Sequence, residues 1–588
     1  MALGEATFEI LTGGGQQRTS AAVSAKTIVQ LGVSPGGDEA KLYKFSDLSA
    51  ITATLDTGPL AEACALRHRT GLTTYAVPTK PSQAGAVGTV TQKGTGTGTV
   101  TVGTAPHKAI KIKITNAGAI ATMKFRVSYD GGTTYQPEVT SADSGGGSFV
   151  YRVPGTFCTL TFAAGTYVLN STYDIGVDGT VTIGGGGINT VTQASDPIDN
   201  YDVVVKVAKG GALGVAILRV SLDGEKSTLP DMLIPSGGKV VVSGTGLVLT
   251  CANTFVVDET YSFLAAPPGF STTDLQNAMV ALRGDASAPP VALVHVIGLP
   301  SSAANAFSAG STLDTQIDTA FSTNNFDWQG LAECPYKDDT IVSGGAAIAD
   351  TADTDAAITS ARVGSTFDRV AICVGTHRMT SPITGHKLKR PLGWALAARY
   401  ADTEPRQDVS AVAGGALPIV AIGRDERTAA TTLHDVQLNV ARSYIGRSGA
   451  FLAIESGGFG WRNLTTDASY QDAGGVRVLD VAVAALRVAG QRYLGDRPAT
   501  NPDGTIEEKA ARARETDLDG AIKRATGLLR GGDFDAPQAS IASATVLRTS
   551  QLGQSPRRLD VQYTLQPLGF VSSVAGKVRF SGVISLEA

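Results

Sequence analysis

The sequence predicts a multidomain chain of mixed α/β (α+β) class. Its core is discontinuous in sequence and carries an inserted, duplicated all-β region of β-sandwich type. Three observations predict this. Strand and helix signals alternate in residues 21–82 and again in 266–555, helical periodicity vanishes from 83 to about 265, and that middle stretch repeats itself.

Composition sets the bounds. The 588 residues suffice for about three or four domains, and 43% hydrophobic residues can fill real cores. Charged residues make up 17% and the net charge is −4, so no basic excess points to nucleic acid. Glycine is abundant at 69 residues and aromatics are scarce at 6%, as in turn-rich β-structure. Cys64, Cys158, Cys251, Cys334 and Cys373 are odd in number and form no CxxC pair, so they read as reduced, buried thiols. The start MALGEATFEILTGGG lacks a basic segment followed by an apolar run, so no signal peptide is expected. No apolar run reaches about 18 residues, so no membrane insertion is expected.

In chain order, Thr27–Leu31 reads as a strand, followed by the turn Ser34-Pro35-Gly36-Gly37 and a second strand at Lys41–Phe45. Ser46-Asp47-Leu48 opens one helix and Gly58-Pro59-Leu60 another, with Leu60, Ala63, Cys64 and Arg67 at helical spacing. Thr73–Val77 is a strand leaving it. Beyond residue 82, Lys124-Phe125-Arg126-Val127-Ser128-Tyr129-Asp130-Gly131 matches Ile217-Leu218-Arg219-Val220-Ser221-Leu222-Asp223-Gly224. Thr166 to Tyr173 matches Thr254 to Tyr261 in the same way. Asp-Gly after an alternating run is a hairpin signal. Two small β-domains are therefore expected, 83–192 and 193–265.

The last segment, 266–555, returns to α/β. Thr272-Thr273-Asp274 opens a helix, Val291–Leu299 is a buried strand, and Leu313–Phe321 and Thr354–Ala361 are helices. Arg369–Val374 is another buried strand, and Leu417–Ile422 is an apolar run whose Pro418 weakens it as a central strand. Val476–Tyr493 is the clearest helix, with Leu479, Ala482, Val483, Leu486 and Tyr493 on one stripe; Glu507–Leu529 is a charged helical segment. The ends are strand-like. Phe8 and Ile10 lie in a candidate strand of an N-terminal arm, 1–20. Val561, Tyr563 and Leu565, then Val578, Phe580, Ile584 and Leu586, alternate in a C-terminal arm, 556–588. Such ends either tuck into their own domain or pair with a neighbouring subunit.

The order of pieces resembles the tail sheath proteins of contractile bacteriophages and related injection systems. The resemblance lies in IVQLGVSPGG, KLYKFSDLSAITATLDTGPLAEACALRHRTG and TTYAVP near the start. It continues in DVQLNVARSYIGRSG, AFLAIES, a Thr-Thr-Asp…Tyr segment and the helix opening Val476-Arg477-Val478-Leu479-Asp480, and it ends in the terminal strands. The 83–265 stretch has no counterpart that the family core requires. The resemblance implies a structural sheath protein, assembled in a bacterial cytoplasm into the tail of a virion. It implies hexameric rings in a helical polymer of the chain with itself, around a tail tube protein, ended by baseplate and tail terminator proteins. Terminal arms would exchange strands between subunits, and contraction would drive the tube through the host envelope. It implies neither catalysis nor a cofactor. Arg477, Arg487, Arg492, Lys509, Arg512, Lys523 and Arg524 are the candidate tube-contacting cations.

Other chemistry is weaker. Gly32-Val33-Ser34-Pro35-Gly36 fits G-x-S-x-G, but a proline follows the serine, so a turn is expected rather than an α/β-hydrolase nucleophile. His377 and His386 lack a metal-site pattern and read as loop histidines. Asp533 and Asp535 lack a calcium-loop frame. The alternative to a sheath is a β-rich surface adhesin or glycan-binding protein that uses the duplicated β-domains.

Overall fold

The computed structural model describes residues 26–69, 71–186, 189–298, 300, 302–324, 326–336, 354–403, 408–429, 431–454, 461–493, 499–527, 539–548 and 561–567. The first segment forms β1 (Ile28–Val33), β2 (Tyr43–Phe45), α1 (Leu48–Leu55), α2 (Pro59–His68) and β3 (Thr74–Thr79). Asp47 caps α1 by accepting the Ala50 N–H at 2.7 Å, and Pro59 starts α2, where its missing N–H costs nothing.

Residues 86–266 carry strands alone: β4 (Ala86–Val87), β5 (Thr91–Lys93), β6 (Thr99–Thr104), β7 (Ile110–Asn116), β8 (Gly118–Ala119), β9 (Lys124–Ser128), β10 (Val139–Thr140) and β11 (Phe149–Arg152). Then follow β12 (Cys158–Phe162), β13 (Thr166–Tyr167), β14 (Thr172–Ile175), β15 (Val181–Gly184), β16 (Val191–Ser195) and β17 (Tyr201–Lys209). The stretch closes with β18 (Ile217–Ser221), β19 (Met232–Leu233), β20 (Lys239–Val242), β21 (Leu247–Ala252) and β22 (Thr260–Ala266).

The remainder gives α3 (Thr272–Gly284), β23 (Leu293–Ile297), α4 (Ala303–Asn324), β24 (Gln329–Cys334), α5 (Asp355–Arg362), β25 (Val370–Val374), β26 (Thr376–Thr380), β27 (Lys387–Pro391) and α6 (Leu392–Asp402). It ends with β28 (Ala441–Arg442), β29 (Phe451–Leu452), α7 (Ala468–Gln471), α8 (Ala473–Gln491), α9 (Glu508–Ala525), β30 (Ala539–Val546) and β31 (Val561–Pro567).

One sheet unites the first and last segments in the order β2-β3-β1-β23-β24-β25, parallel except at β2. Its strands β1, β23, β24 and β25 are buried along their whole length because both faces are covered. Ile28, Leu293 and Ile297 pack with α1, α2 and α6 on one face, whereas Val29, Leu31, Val294 and Val296 pack with α3 and α4 on the other. Helix α4 lies so close to the sheet that a Cβ on Gly330 would stand 2.7 Å from Leu313 and 2.8 Å from Val370.

The β-region holds two sandwiches of similar strand order. One packs the sheet β10-β9-β7-β14-β15 on β11-β12-β16; the other packs β19-β18-β17-β22-β4 on β20-β21-β6. The matching phrases fall on β9 and β18, which share one burial pattern. The turns after them match bond for bond. Gly132 N donates to Ser128 Oγ at 2.8 Å and Thr134 N to Asp130 at 2.9 Å, while Glu225 N donates to Ser221 Oγ at 2.9 Å and Ser227 N to Asp223 at 2.8 Å.

The expected division into 83–192 and 193–265 does not follow the strand pairing. β5 pairs with β22 and β6 with β21, so residues 91–104 complete the second sandwich, and the first is strung between β6 and β17. The reason is closure. β4 lies antiparallel to the end of β22, with Val87 opposite Ala265, and Gln83 and Gly269 exchange main-chain bonds at 3.1 and 2.9 Å. The chain thus enters and leaves the β-region at one place.

Other differences are local. In the Gly94–Gly98 stretch, the Gly96 N–H binds the buried Glu259 carboxylate, which also accepts from Val256 N at 3.0 Å. Leu417–Ile422 forms no strand; Ala421 makes a single bridge to Arg378, as Pro418 allows. Helix α4 begins ten residues before the expected Leu313, at Ala303, and its added turns bury Ala303, Ala306, Phe307 and Gly310 in line with Leu313 and Ile317.

The close approach at Gly330 yields a test. Gly330→Val must displace α4 or the sheet, so the unfolding midpoint in urea is expected to fall by the equivalent of about 1–3 kcal/mol. Gly284→Val, where an added Cβ meets nothing within 4 Å, is the control for the same measurement.

Candidate assembly surface

Helices α8 and α9 and the β30–β31 hairpin form a unit with its own apolar core. Val478, Ala482, Leu486 and Ala489 of α8 meet Leu518 and Ile522 of α9, and the hairpin adds Ala542, Ala544, Val546, Val561 and Leu565. Val561, Tyr563 and Leu565 therefore lie on the alternating face that covers the chain's own helices. Phe8, Ile10, Val578, Phe580, Ile584 and Leu586 lie outside the described residues, as do Asp533 and Asp535.

The hairpin has two unlike edges. On β30, Ala544 N donates to Asp519 Oδ1 at 3.4 Å and Val546 N to Glu515 Oε1 at 3.1 Å, both on α9. Those N–H groups point away from β31, so alternate pairs Ser543–Thr564 and Thr545–Gln562 carry the hairpin's own bonds. By the same alternation the main-chain groups of Val561, Tyr563 and Leu565 face outward from β31. Among the described residues no further strand pairs with that edge. Glu515 is held ionised, below its usual range, by its bond to Arg548. One edge is thus closed by carboxylates, and among the described residues no strand covers the other.

Helix α8 ties this unit to the parallel sheet. Asp480 accepts from Arg369 at 2.9 Å and from Gln329 at 3.2 Å, both beside the starts of sheet strands, and burial pushes its carboxyl up. Arg487 grips Asp327, with Nη2 at 3.0 Å from Oδ1. Arg477 lies flat over Tyr400, 3.9 Å from the ring centre, and donates to Tyr400 O and Thr403 O at 3.3 and 2.8 Å.

This corrects two of the expected surface cations. Arg477, 2% exposed, and Arg487 are internal ties, because α8 is covered on both sides and not on a single stripe. Arg492, Lys509, Arg512 and Arg524 are exposed, and Lys523 is partly so, bound to Asp519 at 2.7 Å. The sequence reading missed β30, Glu515 and Asp519; the alternating Ile541, Ser543, Thr545 run was the available signal.

Other candidates resolve as structure. Ser34 is buried and donates to Leu55 O at 2.7 Å, fixing a turn with no base beside it. His377 is a buried strand residue, not a loop histidine: Nδ1 accepts from Gly423 N at 2.9 Å, and burial lowers its pKa to about 4. His386 bonds Ser227 at 2.8 Å. Among the described residues no group of three or more His, Cys, Asp or Glu is placed to hold a metal.

Two substitutions separate internal from surface cations. Arg477→Ala is expected to cost about 3 kcal/mol or more in chemical denaturation, since it strips a buried group from two carbonyls. Arg524→Ala is expected to stay within about 0.5 kcal/mol.

No protein-family model matches the chain, and no curated protein matches it. Solved structures do. The chain aligns with the sheath tail protein from Listeria innocua at 8% identity and a TM-score of 0.37, over 92% of this chain and 95% of that one. With the sheath tail protein from Desulfitobacterium hafniense the figures are 10%, 0.39, 94% and 95%. With the sheath complex of an extracellular contractile injection system in its contracted state they are 12%, 0.33, 53% and 81%. The solved structures that this chain is similar to are sheath proteins of contractile systems.

Proposed function

We propose that the chain is a structural, non-enzymatic sheath subunit that polymerises with itself around a tube and contracts. The observation that carries this reading is the open edge of β31. An uncovered strand edge is a template for another chain, and natural proteins usually blunt it. Here α9 blunts β30 with Glu515 and Asp519, and among the described residues no strand covers the other edge of β31. A strand from the N-terminal arm of a neighbouring subunit, around Phe8 and Ile10, is the proposed occupant. A contact in which one subunit gives a strand and takes another is head-to-tail, and such contacts build rings and helical filaments. The order of sequence phrases that resembles contractile sheaths supports the same reading.

In this reading the parallel sheet with α8, α9 and the hairpin is the sheath core, discontinuous in sequence. The β-region is one insertion, 86–266, built from a duplicated unit with the first sandwich nested in the second. Arg492, Lys509, Arg512, Lys523 and Arg524 are the cations left for contact with the tube. Baseplate and terminator proteins would bind the ends of the polymer.

The structure sets where to cut. Removing residues 559–588 would strip Val561 and Leu565 from the subunit's own core as well as the arm, so loss of polymers would be ambiguous. Deleting residues 1–25, or separately 568–588, leaves the described hairpin whole. Either deletion is expected to abolish large particles in sedimentation velocity while the circular dichroism of the monomer is kept. Polymers that persist in both deletions would refute assembly by terminal strands.

A further inference from the structure

One hairpin, β26–β27, belongs to both the core and the β-region. Its Met379 sits in the core beneath α2 and α6, and its Leu388 sits in the apolar interior of the second sandwich. Around them the hairpin makes several polar bonds to the β-region. Arg378 donates to Asp223 O at 2.6 Å and to Asp202 Oδ2 at 3.1 Å, Lys387 N to Asp223 Oδ2 at 3.1 Å, and His386 pairs with Ser227 at 2.8 Å. The deepest tie is Arg390, whose two nitrogens clasp Asp199 at 3.0 and 2.6 Å in the link leading to β17.

That tie has an imbalance of charge. Arg390 is 3% exposed and Asp199 4%. A second carboxylate, Glu62 on α2, 2% exposed, lies in the field of both and accepts from Ser381 Oγ at 2.6 Å. The other charged or titratable groups around it are Tyr201 on β17, the neutral His377 across the strand pair from Arg390, and the Arg378–Asp202 pair, which balances itself. Trp394 of α6 covers Arg390, 5.0 Å from the guanidinium. One guanidinium thus clasps one buried carboxylate, Asp199, and lies in the field of a second, Glu62.

We infer that Glu62, Asp199 and Arg390 form a proton-controlled latch between the β-region and the core, closed when Glu62 holds a proton and loosened when it is ionised. A buried cluster tolerates one balanced pair better than a pair with an extra charge. Burial first, and then the nearby Asp199, raise Glu62 to about 7 against the pull of Arg390. When the latch opens, water reaches Glu62 and its carboxyl returns to the ordinary range near 4.5. The closed state therefore binds more protons, so its advantage is full below about 4.5 and is lost as pH rises to about 7. Above that, opening is level with pH. The inference does not depend on assembly, since every group lies within one subunit.

Amide exchange of the full-length protein tests this, read at residues 199–202 and 379–388 and corrected for the intrinsic pH dependence of exchange. In the wild type, opening is expected to rise about tenfold between pH 5.5 and 7 and to level off by pH 8. Glu62→Gln keeps the acceptor for Ser381 and removes the charge, so its opening is expected to be flat with pH and low throughout. Asp199→Asn leaves Glu62 as the only carboxylate beside Arg390 and removes one of the two causes that raise it, so its slope is expected to be shallower. Helix α3, whose Asp274 stays below its usual range, serves as an internal reference that does not follow the slope. Wild-type opening that is independent of pH would overturn the latch, as would a slope that survives in folded Glu62→Gln or is undiminished in folded Asp199→Asn.

Discussion

The parallel pairing of β1 with β23 is the constraint on which the rest depends. It sets Ile28 beside Leu293 and Gly32 beside Ile297, strands separated in sequence by the whole β-region. A pairing of that kind allows an insertion only if the inserted chain leaves and returns at one place. The β4–β22 and Gln83–Gly269 contacts meet that demand, and they explain why the strands of 86–104 complete the second sandwich. The same geometry lets the β-region settle back on the core. Phe157 packs with Val33 and Ile198, His107 meets Asp56 at 2.8 Å, and the β26–β27 hairpin fastens the other side. The inserted sandwiches are docked bodies.

A second chain of cause runs the other way, from the sheet to the assembly surface. Arg369, Asp480, Asp327, Arg487 and Arg477 are ion pairs and carbonyl contacts buried between the sheet and α8. Buried pairs contribute little net stability beside well-packed apolar groups, but breaking one is costly. They fit a part that must hold one orientation. A hairpin that receives a neighbour's strand transmits position or force only as well as it is tied to the body of its own subunit. These ties also account for the charge of α8, which would otherwise sit oddly in so covered a helix.

Much of the core was legible in the sequence. Strands β1, β3, β23 and β25 announce themselves as short apolar runs, and α1, α2, α3, α5, α8 and α9 as capped or striped segments. The matching phrases at 124–131 and 217–224 located the repeated turns because Ser and Asp side chains fix them locally. Four things were not legible. β24, Gln329-Gly330-Leu331-Ala332-Glu333-Cys334, has mixed composition because its Glu333 pairs with the buried His295 at 3.0 Å and its glycine admits α4. The exchange of β5 and β6 into the second sandwich is a long-range choice that local pattern cannot carry. The roles of Arg477 and Arg487 invert what charge on a helix face suggests, since only tertiary packing shows that the face is covered. The outward direction of the main-chain groups of Val561, Tyr563 and Leu565 follows from partners on α9 that lie a whole helix away in sequence.

Negative-stain electron microscopy of the purified full-length protein, alone and co-expressed with a tube protein, tests the central claim most directly. The expected result is hollow, striated tubes or stacked six-fold rings. Uniform monomers at high concentration in both preparations would contradict the account.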